Sequence, residues 1–427
     1  MTHEQRFERQ LPDLLEALYL GPTPDYRNDV LARVARTRQR PAWSFPGRWF
    51  PMLELIQPQA PTRRTPWRLI LVAVLVLLLI AASVAVYIGS RPPLPAPFGP
   101  AANGLLAWSD GGTIYTADPR TGAPTTIVAG PGTVYDPFFS SDGTLLAFER
   151  VPAGTSDANG GGLMFVVHAD GSGLVPVDPQ PLTDVKWYDI SADDRYVVIS
   201  STVAGKAAVS VARTDGSSFT TLDLGRMTPG LASFRPGTTD IMFSGTNPLS
   251  VPGIYLIGVD GTNLHPLVTQ KVGESYFGDP VWSPDGSRLA YVVVGYSPAN
   301  SNATHIHIWS ADGSDRPLFG ANAPANQFFD AWPSWSPDGT KLLVQRVVDG
   351  TGKYSVVAAD GSGKIVDIQA TTGNNGANYQ WSPDGSSILA RPNDAPQQWQ
   401  LWNPDTGTVT TAPVTASSWP SWQRAAP

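Results

Sequence analysis

The sequence predicts an all-β domain of repeated four-stranded antiparallel units, preceded by one transmembrane helix and a short helical segment. Three observations support this. The 427 residues include 41 Gly and 41 Pro but only 15% charged residues, a motif recurs along most of the chain, and one long uncharged apolar run lies near the N-terminus. Abundant Gly and Pro together with 14 Trp are typical of many short strands joined by tight turns.

The repeat contains the motif Trp-Ser-Pro-Asp-Gly. Its clear copies are Trp282–Gly286, Trp335–Gly339 and Trp381–Gly385, and weaker copies place Phe139, Ile190 and Phe234 at the Trp position. Ser-Pro-Asp-Gly puts Pro at the second and Gly at the fourth position of a type I turn, which predicts a hairpin. A second Asp-Gly pair, such as Asp312-Gly313, ends a third strand. Four antiparallel strands per unit, arranged radially, form a propeller blade.

The two chain ends predict how the array closes. Residues 104–128 form a unit that lacks its first strand, and Pro420–Arg424 resembles that missing strand with nothing after it. Pairing the strand of Trp422 with residues 104–128 would complete a blade and remove two exposed sheet edges. Six full units and one shared unit predict a seven-bladed β-propeller. A six-bladed propeller is the alternative if the copy around Phe234 is not a unit.

The three clear copies resemble the WD40-like PD40 repeats of TolB-type propellers, and the resemblance covers residues 104–424. The stretch Val34–Trp43, ahead of the apolar run, is similar to a segment found in bacterial membrane-anchored propeller proteins. The resemblance implies the propeller fold and membrane attachment. TolB itself is soluble and periplasmic, so the apolar run departs from the family pattern and TolB's partners are not carried over.

The apolar run Leu69–Ile88 comprises 20 uncharged residues, enough for a helix to cross a hydrocarbon core of about 30 Å. Arg63, Arg64 and Arg68 precede it, whereas Arg91 alone follows before residue 120. This asymmetry predicts a cytoplasmic N-terminus. We therefore expect a single-pass protein of the plasma (inner) membrane that contacts the bilayer through Leu69–Ile88. Its predicted parts are a cytoplasmic segment (1–68), the transmembrane helix (69–89), a Pro-rich tether (90–103) and an extracytoplasmic propeller (104–427).

Charge is distributed unevenly between these parts. Residues 1–68 hold 11 Arg against seven Asp and Glu, a net charge of +4, so the remaining residues carry −11. This makes nucleic acid an improbable partner of the acidic part. Apolar residues at helical spacing in Glu4–Leu18, and again after Pro24, predict two short amphipathic helices. They are too small for a core of their own, so they need a cytoplasmic protein partner or the membrane surface, unless the segment is a solvated linker.

Catalytic patterns are absent from the sequence. The chain has no cysteine, no Gly-x-Ser-x-Gly motif and no α/β-hydrolase segment after the repeats, which disfavours a propeller peptidase. His305 and His307 lie on one face of a predicted strand, but two ligands are too few for a metal site. We therefore expect a protein that is not an enzyme and that needs no cofactor or metal.

One set of repeat positions predicts a binding site. It lies three residues before each Trp position, at the start of the innermost strand, where the blades surround one mouth of the central channel. These positions hold Asp136, Trp187, Leu231, Asp279, Trp332, Asn378 and Trp419. Exposed Trp rings with Asp and Asn would stack on and hydrogen-bond a sugar or a peptide. The predicted ligand-binding residues are Asp136, Trp187, Asp279, Trp332, Asn378 and Trp419, and packing between blades with turn capping is the alternative role.

The sequence thus favours a ligand- or protein-binding sensor or scaffold of the bacterial cell envelope. Its layout is analogous to that of membrane-bound regulators such as anti-sigma factors, an analogy that rests on architecture alone. A membrane-tethered hydrolase or lyase is one alternative, with Asp136 and Asp279 as its acid and base. A purely structural envelope protein is another.

Overall fold

The structure is a computed structural model. It describes residues 71–72, 74–76, 98–155, 161–179, 181–269, 274–297, 300–319, 327–348, 351–368, 377–392, 399–414, 416 and 418–426. Its described strands form seven antiparallel four-stranded sheets. The predicted all-β architecture is therefore confirmed with seven blades, and the six-bladed alternative is wrong. The copy around Phe234 is a true unit, because Phe234 ends the first strand of the fourth blade.

The strands are labelled in chain order. Blade 1 contains β1 (Ala102–Asp110), β2 (Thr113–Ala117), β3 (Thr125–Ala129) and β28 (Ser421–Ala425). Blade 2 contains β4 (Thr133–Phe139), β5 (Leu145–Val151), β6 (Leu163–His168) and β7 (Val175–Pro176). Blade 3 contains β8 (Thr183–Ile190), β9 (Tyr196–Val203), β10 (Lys206–Arg213) and β11 (Phe219–Thr221). Blade 4 contains β12 (Thr228–Phe234), β13 (Asp240–Thr246), β14 (Pro252–Gly258) and β15 (His265–Thr269).

The remaining blades follow the same plan. Blade 5 contains β16 (Glu274–Trp282), β17 (Arg288–Ser297), β18 (Asn300–Ser310) and β19 (Asp315–Pro317). Blade 6 contains β20 (Gln327–Trp335), β21 (Lys341–Val348), β22 (Thr351–Ala358) and β23 (Ile365–Ile368). Blade 7 contains β24 (Ala377–Trp381), β25 (Ile388–Pro392), β26 (Gln400–Trp402) and β27 (Val409–Thr411). First strands of neighbouring blades contact one another, so they surround the central channel.

Blade 1 is built from both ends of the propeller, as the sequence predicts. Its strand order is β28-β1-β2-β3, and Trp422 of β28 pairs with Leu106 of β1. Strand β1 begins at Ala102, two residues before the predicted start at Gly104. The C-terminal strand therefore supplies the innermost strand of the blade that the N-terminal strands begin.

The predicted turns between first and second strands are also present. In the clear copies Gly286, Gly339 and Gly385 each donate their N–H to the carbonyl of the Ser three residues earlier, at 2.8 Å. Their φ angles lie between 66° and 73°, a region that Gly occupies without the steric cost other residues meet. These turns all lie at one end of the channel, which we call the turn face. The starts of the first strands lie at the other end, which we call the mouth.

The core consists of seven apolar clusters, one between each pair of neighbouring blades. One cluster joins blade 7 to blade 1 through Leu389, Trp399, Leu106 and Trp422, and the other six join the consecutive pairs from blades 1 and 2 to blades 6 and 7. Each blade thus buries both faces against its neighbours. This closed circle of contacts fixes the positions of the seven first strands around one axis.

The Trp of the repeat motif belongs to these interblade clusters. Trp282, Trp335, Trp381 and Trp422 are each only 6% exposed, and we call them the packing tryptophans. Trp335 Nε1 donates to the carbonyl of Val281 in blade 5, at 3.1 Å. The guanidinium carbon of Arg288, also in blade 5, lies 4.7 Å from the ring centroid of Trp335. The packing tryptophan of one blade is therefore held by the blade before it.

The described segment before β1 crosses the turn face. Ala101 N–H donates to the carbonyl of Pro383, in the turn of blade 7, at 2.9 Å. Three residues earlier, Cε1 of Phe98 lies 3.7 Å from the position that a Cβ on Gly237 would take, in the turn of blade 4. Blades 4 and 7 are three steps apart in a circle of seven, on opposite sides of the axis. Between them, the carbonyl of Gly99 accepts a bond from Arg424 Nη1 at 2.7 Å.

The predicted membrane span is largely outside the described residues. Within it, Leu71, Val72 and residues 74–76 are helical and exposed. None of the helices in the described part of the chain is long and apolar enough to cross a membrane. The predicted cytoplasmic helices of residues 1–68 and the tether up to residue 97 also fall outside the described residues.

Candidate functional site

The seven repeat positions, which include the six predicted ligand-binding residues and Leu231, are equivalent around the mouth, and we call their residues the ring residues. In blade order 1 to 7 they are Trp419, Asp136, Trp187, Leu231, Asp279, Trp332 and Asn378. The large apolar members are strongly exposed: Trp187 41%, Leu231 39%, Trp332 42% and Trp419 42%. Most large apolar side chains in these strands are buried, so exposure at one repeated position marks the mouth as a distinct surface.

The local backbone explains why these side chains leave the sheet. The pairing of first and second strands shifts register around Asp136, Leu231, Asp279 and Trp332. Three of these four residues precede a Pro, which has no N–H for the ladder and disfavours regular pairing at this point. The resulting bulge turns the ring residue away from the blade.

Three ring residues also adopt a left-handed backbone conformation. The φ angles are 43° for Asp136, 48° for Asp279 and 50° for Trp332. Such angles are unusual for any residue other than Gly, and they are costly for a bulky one such as Trp. Strained residues of this kind concentrate at functional sites, where the surrounding structure holds them in place.

Two tyrosines, the buried Tyr188 and the partly buried Tyr379, hold this strained backbone. Tyr188 follows ring residue Trp187, and its hydroxyl donates to the backbone carbonyl of Asp136 in the preceding blade. Tyr379 follows ring residue Asn378, and its hydroxyl donates to the carbonyl of Trp332 in the preceding blade. Burial raises the pKa of both phenols well above the ordinary value for tyrosine, so both remain hydrogen-bond donors at neutral pH.

Asp279 and Trp332 form a contact between blades 5 and 6. The backbone N–H of Trp332 hydrogen-bonds the Asp279 carboxylate, which lowers the pKa of Asp279, but burial outweighs this effect and the pKa is raised overall. The Asp279 charge also contributes to the raised pKa of Tyr379, which places that phenol near the carboxylate. The Asp279 carboxylate, the backbone of Trp332 and the phenol of Tyr379 therefore lie together at one point of the mouth.

Asp136 lies in a different electrostatic setting. Burial raises the pKa of Asp136, and the positive charge of Arg391 partly opposes this rise. Arg391 is in β25, where it pairs in register with Asn378 of β24, and its guanidinium lies 5.2 Å from the ring centroid of Trp399. Asp136 thus faces a cation from across blade 1.

The other ring residues complete the mouth. The indole of Trp187 lies 6.4 Å from the ring of Phe138, with the two planes tilted by 55°. Beside it, Lys186 Nζ is 3.4 Å from the Asp184 carboxylate. Trp419 precedes β28, next to Ser418, whose hydroxyl accepts a bond from Ser109 N–H at 2.8 Å. The backbone of Asn378 is at the expected place, and its side chain lies outside the described residues.

Arg391, Tyr188 and Tyr379 are mouth residues that sequence reasoning missed. A signal for the tyrosines was present, because the position after the ring residue is Pro in four repeats and Tyr in two. In the four repeats with Pro, the first strand is interrupted after the ring residue. In the two repeats with Tyr, the hydroxyl donates a hydrogen bond to the preceding blade. Arg391 had no such signal, since it reaches the mouth from a second strand.

Two further features lie away from the ring. His307 Nδ1 is 3.3 Å from Asp315 Oδ1, and burial lowers the pKa of His305. In the described part of the chain, no cluster of three or more His, Asp or Glu residues is arranged to bind a metal ion. A groove of about 420 Å³ lies against β2, β3 and the β6–β7 turn, lined by residues that include Asp118, Ile127 and Asp170. It contains no ring residue.

Comparisons with known proteins define the fold more closely than the function. No family model matches the chain. Dipeptidyl-peptidase 5 from Trichophyton schoenleinii is 28% identical over 125 residues, which cover 26% of this chain and 16% of that protein. The chain thus matches about a sixth of the length of this curated relative.

Among solved structures, one from a study of two prolyl endopeptidases superposes with a TM-score of 0.55 at 13% identity, covering 77% of this chain and 50% of that one. TolB from Acinetobacter baumannii superposes with a TM-score of 0.45 at 12% identity, covering 77% and 68%. At these identities the prolyl endopeptidase likeness shows a shared propeller fold. The chain is therefore similar to propellers found in peptidases.

Proposed function

We propose that this protein is a membrane-anchored propeller of the bacterial envelope that binds an extracytoplasmic ligand or protein at its mouth. The observation that carries the proposal is the exposure of Trp187, Trp332 and Trp419 at one repeated position, each about seven times as exposed as the packing tryptophans. Exposed indoles beside carboxylates provide stacking and hydrogen bonding together. The strained backbone at Trp332 supports the same reading, since packing alone would not require it.

Membrane attachment is the second part of the proposal. It rests on the uncharged run Leu69–Ile88 and on the Arg residues that precede it. The N-terminal 68 residues then lie in the cytoplasm, where a protein partner would allow the molecule to act as a sensor. Without such a partner the molecule would act as a scaffold.

A ligand screen on the full chain in detergent micelles tests the binding function. Ligands that change tryptophan fluorescence are titrated against the wild type, Trp332→Ala and Trp335→Ala. The proposal expects Trp332→Ala to abolish the response while leaving the melting temperature nearly unaltered. A large drop in melting temperature for Trp332→Ala would instead assign this residue to packing.

Topology is tested separately with reporters fused to each terminus. A reporter ahead of Met1 is expected to be active in the cytoplasm, and one after Pro427 outside it. Protease added to intact spheroplasts should digest the propeller. Removal of residues 1–68 by that protease would reverse the proposed orientation.

A hydrolase or lyase at the mouth is the second candidate. It is favoured by the raised pKa values of Asp136 and Asp279, which suit a general acid, and by the likeness to propeller-containing peptidases. Turnover of a peptide or an acidic oligosaccharide, lost in both Asp136→Asn and Asp279→Asn, would establish it. Absence of binding and turnover alike would leave the purely structural alternative.

A further inference from the structure

Two cations of the described mouth are already engaged. Lys186 lies beside Asp184, and Arg391 stacks on Trp399 while facing Asp136. Asp279 differs, because among the described residues no lysine or arginine forms an ion pair with its partly buried carboxylate. A carboxylate that has lost solvent without gaining a counter-ion gains more from a bound cation than a solvated carboxylate does.

Two aromatic residues, Trp332 and Tyr379, lie close to the carboxylate of Asp279. Trp332 donates its backbone N–H to Asp279 and leaves its indole 42% exposed. The phenol of Tyr379 is tied to the carbonyl of Trp332, which fixes the two aromatic residues relative to each other. An ammonium or guanidinium group at this point would meet a carboxylate and the face of an indole together, a combination of ion pairing and cation–π attraction.

The charge of the whole segment supports a cationic partner. Residues 69–427 carry a net charge of −11, which raises the rate at which basic ligands meet the surface. A neutral sugar could stack on the indole rings and donate hydroxyl hydrogen bonds to the carboxylate, but it would leave the charge of Asp279 without a counter-ion. The observations around Asp279 therefore favour a charged ligand.

We propose that Asp279 and Trp332 form a recognition site for a Lys or Arg side chain of an extracytoplasmic peptide or protein. This inference rests on the proposed binding function of the mouth and specifies its ligand class. Asp279 pairs with the cationic group, Trp332 covers one side of it, and Tyr379 holds Trp332 in position. Trp187 and Leu231, in the two blades before Asp279, offer apolar surface to the neighbouring residues of the peptide.

The test uses isothermal titration of the full chain in detergent micelles with three probes. They are an acetylated and amidated pentapeptide containing one Lys and one Arg, the same peptide with Glu at both positions, and a neutral chitotriose. The basic peptide is expected to bind, with affinity falling at least tenfold in Asp279→Asn and in Trp332→Ala. Trp332→Phe should retain part of the affinity, since a phenyl ring still attracts a cation. Raising the salt concentration from about 50 to about 300 mM should weaken binding of the basic peptide, because salt screens the attraction between exposed charges.

Asp312→Asn serves as the matched control, because Asp312 lies on the turn face, where it accepts a hydrogen bond from Ser314 N–H. This variant should bind the basic peptide with the affinity of the wild type. Melting curves confirm that each variant is folded. Equal binding of the Glu peptide, or an Asp279→Asn affinity within twofold of the wild type, would overturn the inference. Chitotriose binding that needs Trp332 but not Asp279 would also overturn it while preserving the binding function. If none of the three probes showed binding that depends on Trp332, both the recognition of a cationic side chain and the binding function of the mouth would be contradicted.

Discussion

The ring residues and the packing tryptophans lie three positions apart in the same strands, yet their surroundings are opposite. Trp332 is 42% exposed and Trp335 is 6% exposed. A bulge lies between them, and Pro333 lies within it. Blade 1 repeats the pattern with Trp419 and Trp422, separated by Pro420. In the four repeats with Pro at this position, the Pro thus separates a residue that packs between blades from a residue at the mouth.

This difference shows why the same residue type has two roles in one repeat. A packing tryptophan donates its indole N–H to the preceding blade, as Trp335 and Trp381 do to Val281 and Ser334. A ring tryptophan is instead held through its backbone, as Trp332 is by Tyr379. The indole of Trp332 is therefore left available for a ligand, and substitutions can separate stability from binding.

Closure of blade 1 carries the largest expected effect. Deleting residues 418–427 removes β28, including Trp422, whose loss alone corresponds to about 3–5 kcal/mol, and it exposes the edge of β1. We expect loss of the cooperative thermal transition and aggregation, measured by circular dichroism and light scattering. Deleting only residues 426–427 leaves β28 intact and is the control. An unchanged melt after the longer deletion would contradict the shared blade.

The paired substitutions Trp335→Ala and Trp332→Ala test the comparison directly. Trp335→Ala should lower the free energy of unfolding by about 3–5 kcal/mol, since it removes a buried ring and its hydrogen bond. Trp332→Ala should lower it by less than about 1 kcal/mol, as expected for an exposed side chain outside the core. Chemical denaturation measures both. Equal losses for the two variants would mean that the ring position is part of the core.

Tyr379→Phe should have an intermediate effect. It removes the hydroxyl that donates to the Trp332 carbonyl, and the loss of one such hydrogen bond costs about 0.5–1.5 kcal/mol. Tyr188→Phe should behave alike at Asp136. Tyr115→Phe, in a ring that stacks on Trp108 in blade 1, is the control and should cost less. If Tyr379→Phe matched Tyr115→Phe in denaturation, the hydroxyl would not hold the mouth.

The smallest effect concerns pH. Burial raises the pKa of Asp279 above its ordinary value of 3.8, so between the unfolded and folded pKa values the native state binds more protons than the unfolded state. The free energy of unfolding should therefore fall as pH rises through this interval, by less than about 1 kcal/mol for a partly exposed group. Asp279→Asn should remove this part of the slope in denaturation series from pH 3 to pH 7. An identical slope in wild type and variant would refute the assignment.

Much of the fold was predictable because local and repeated signals agree. The sequence of each repeat is enough to predict the Ser-Pro-Asp-Gly turns. Counting the repeats predicts the number of blades and the shared blade around Trp422. Ring positions such as Trp332 were predictable from their offset to the packing tryptophans. Three features could not be predicted: the positive φ angles, the effect of Arg391 on Asp136 and the role of Tyr379. Each depends on how neighbouring blades pack against one another. No single repeat contains that information.

The segment Phe98–Ala101 runs between the turns of blades 4 and 7 and so crosses the turn face of the propeller. A ligand bound at the ring residues therefore lies at the end of the channel opposite this segment.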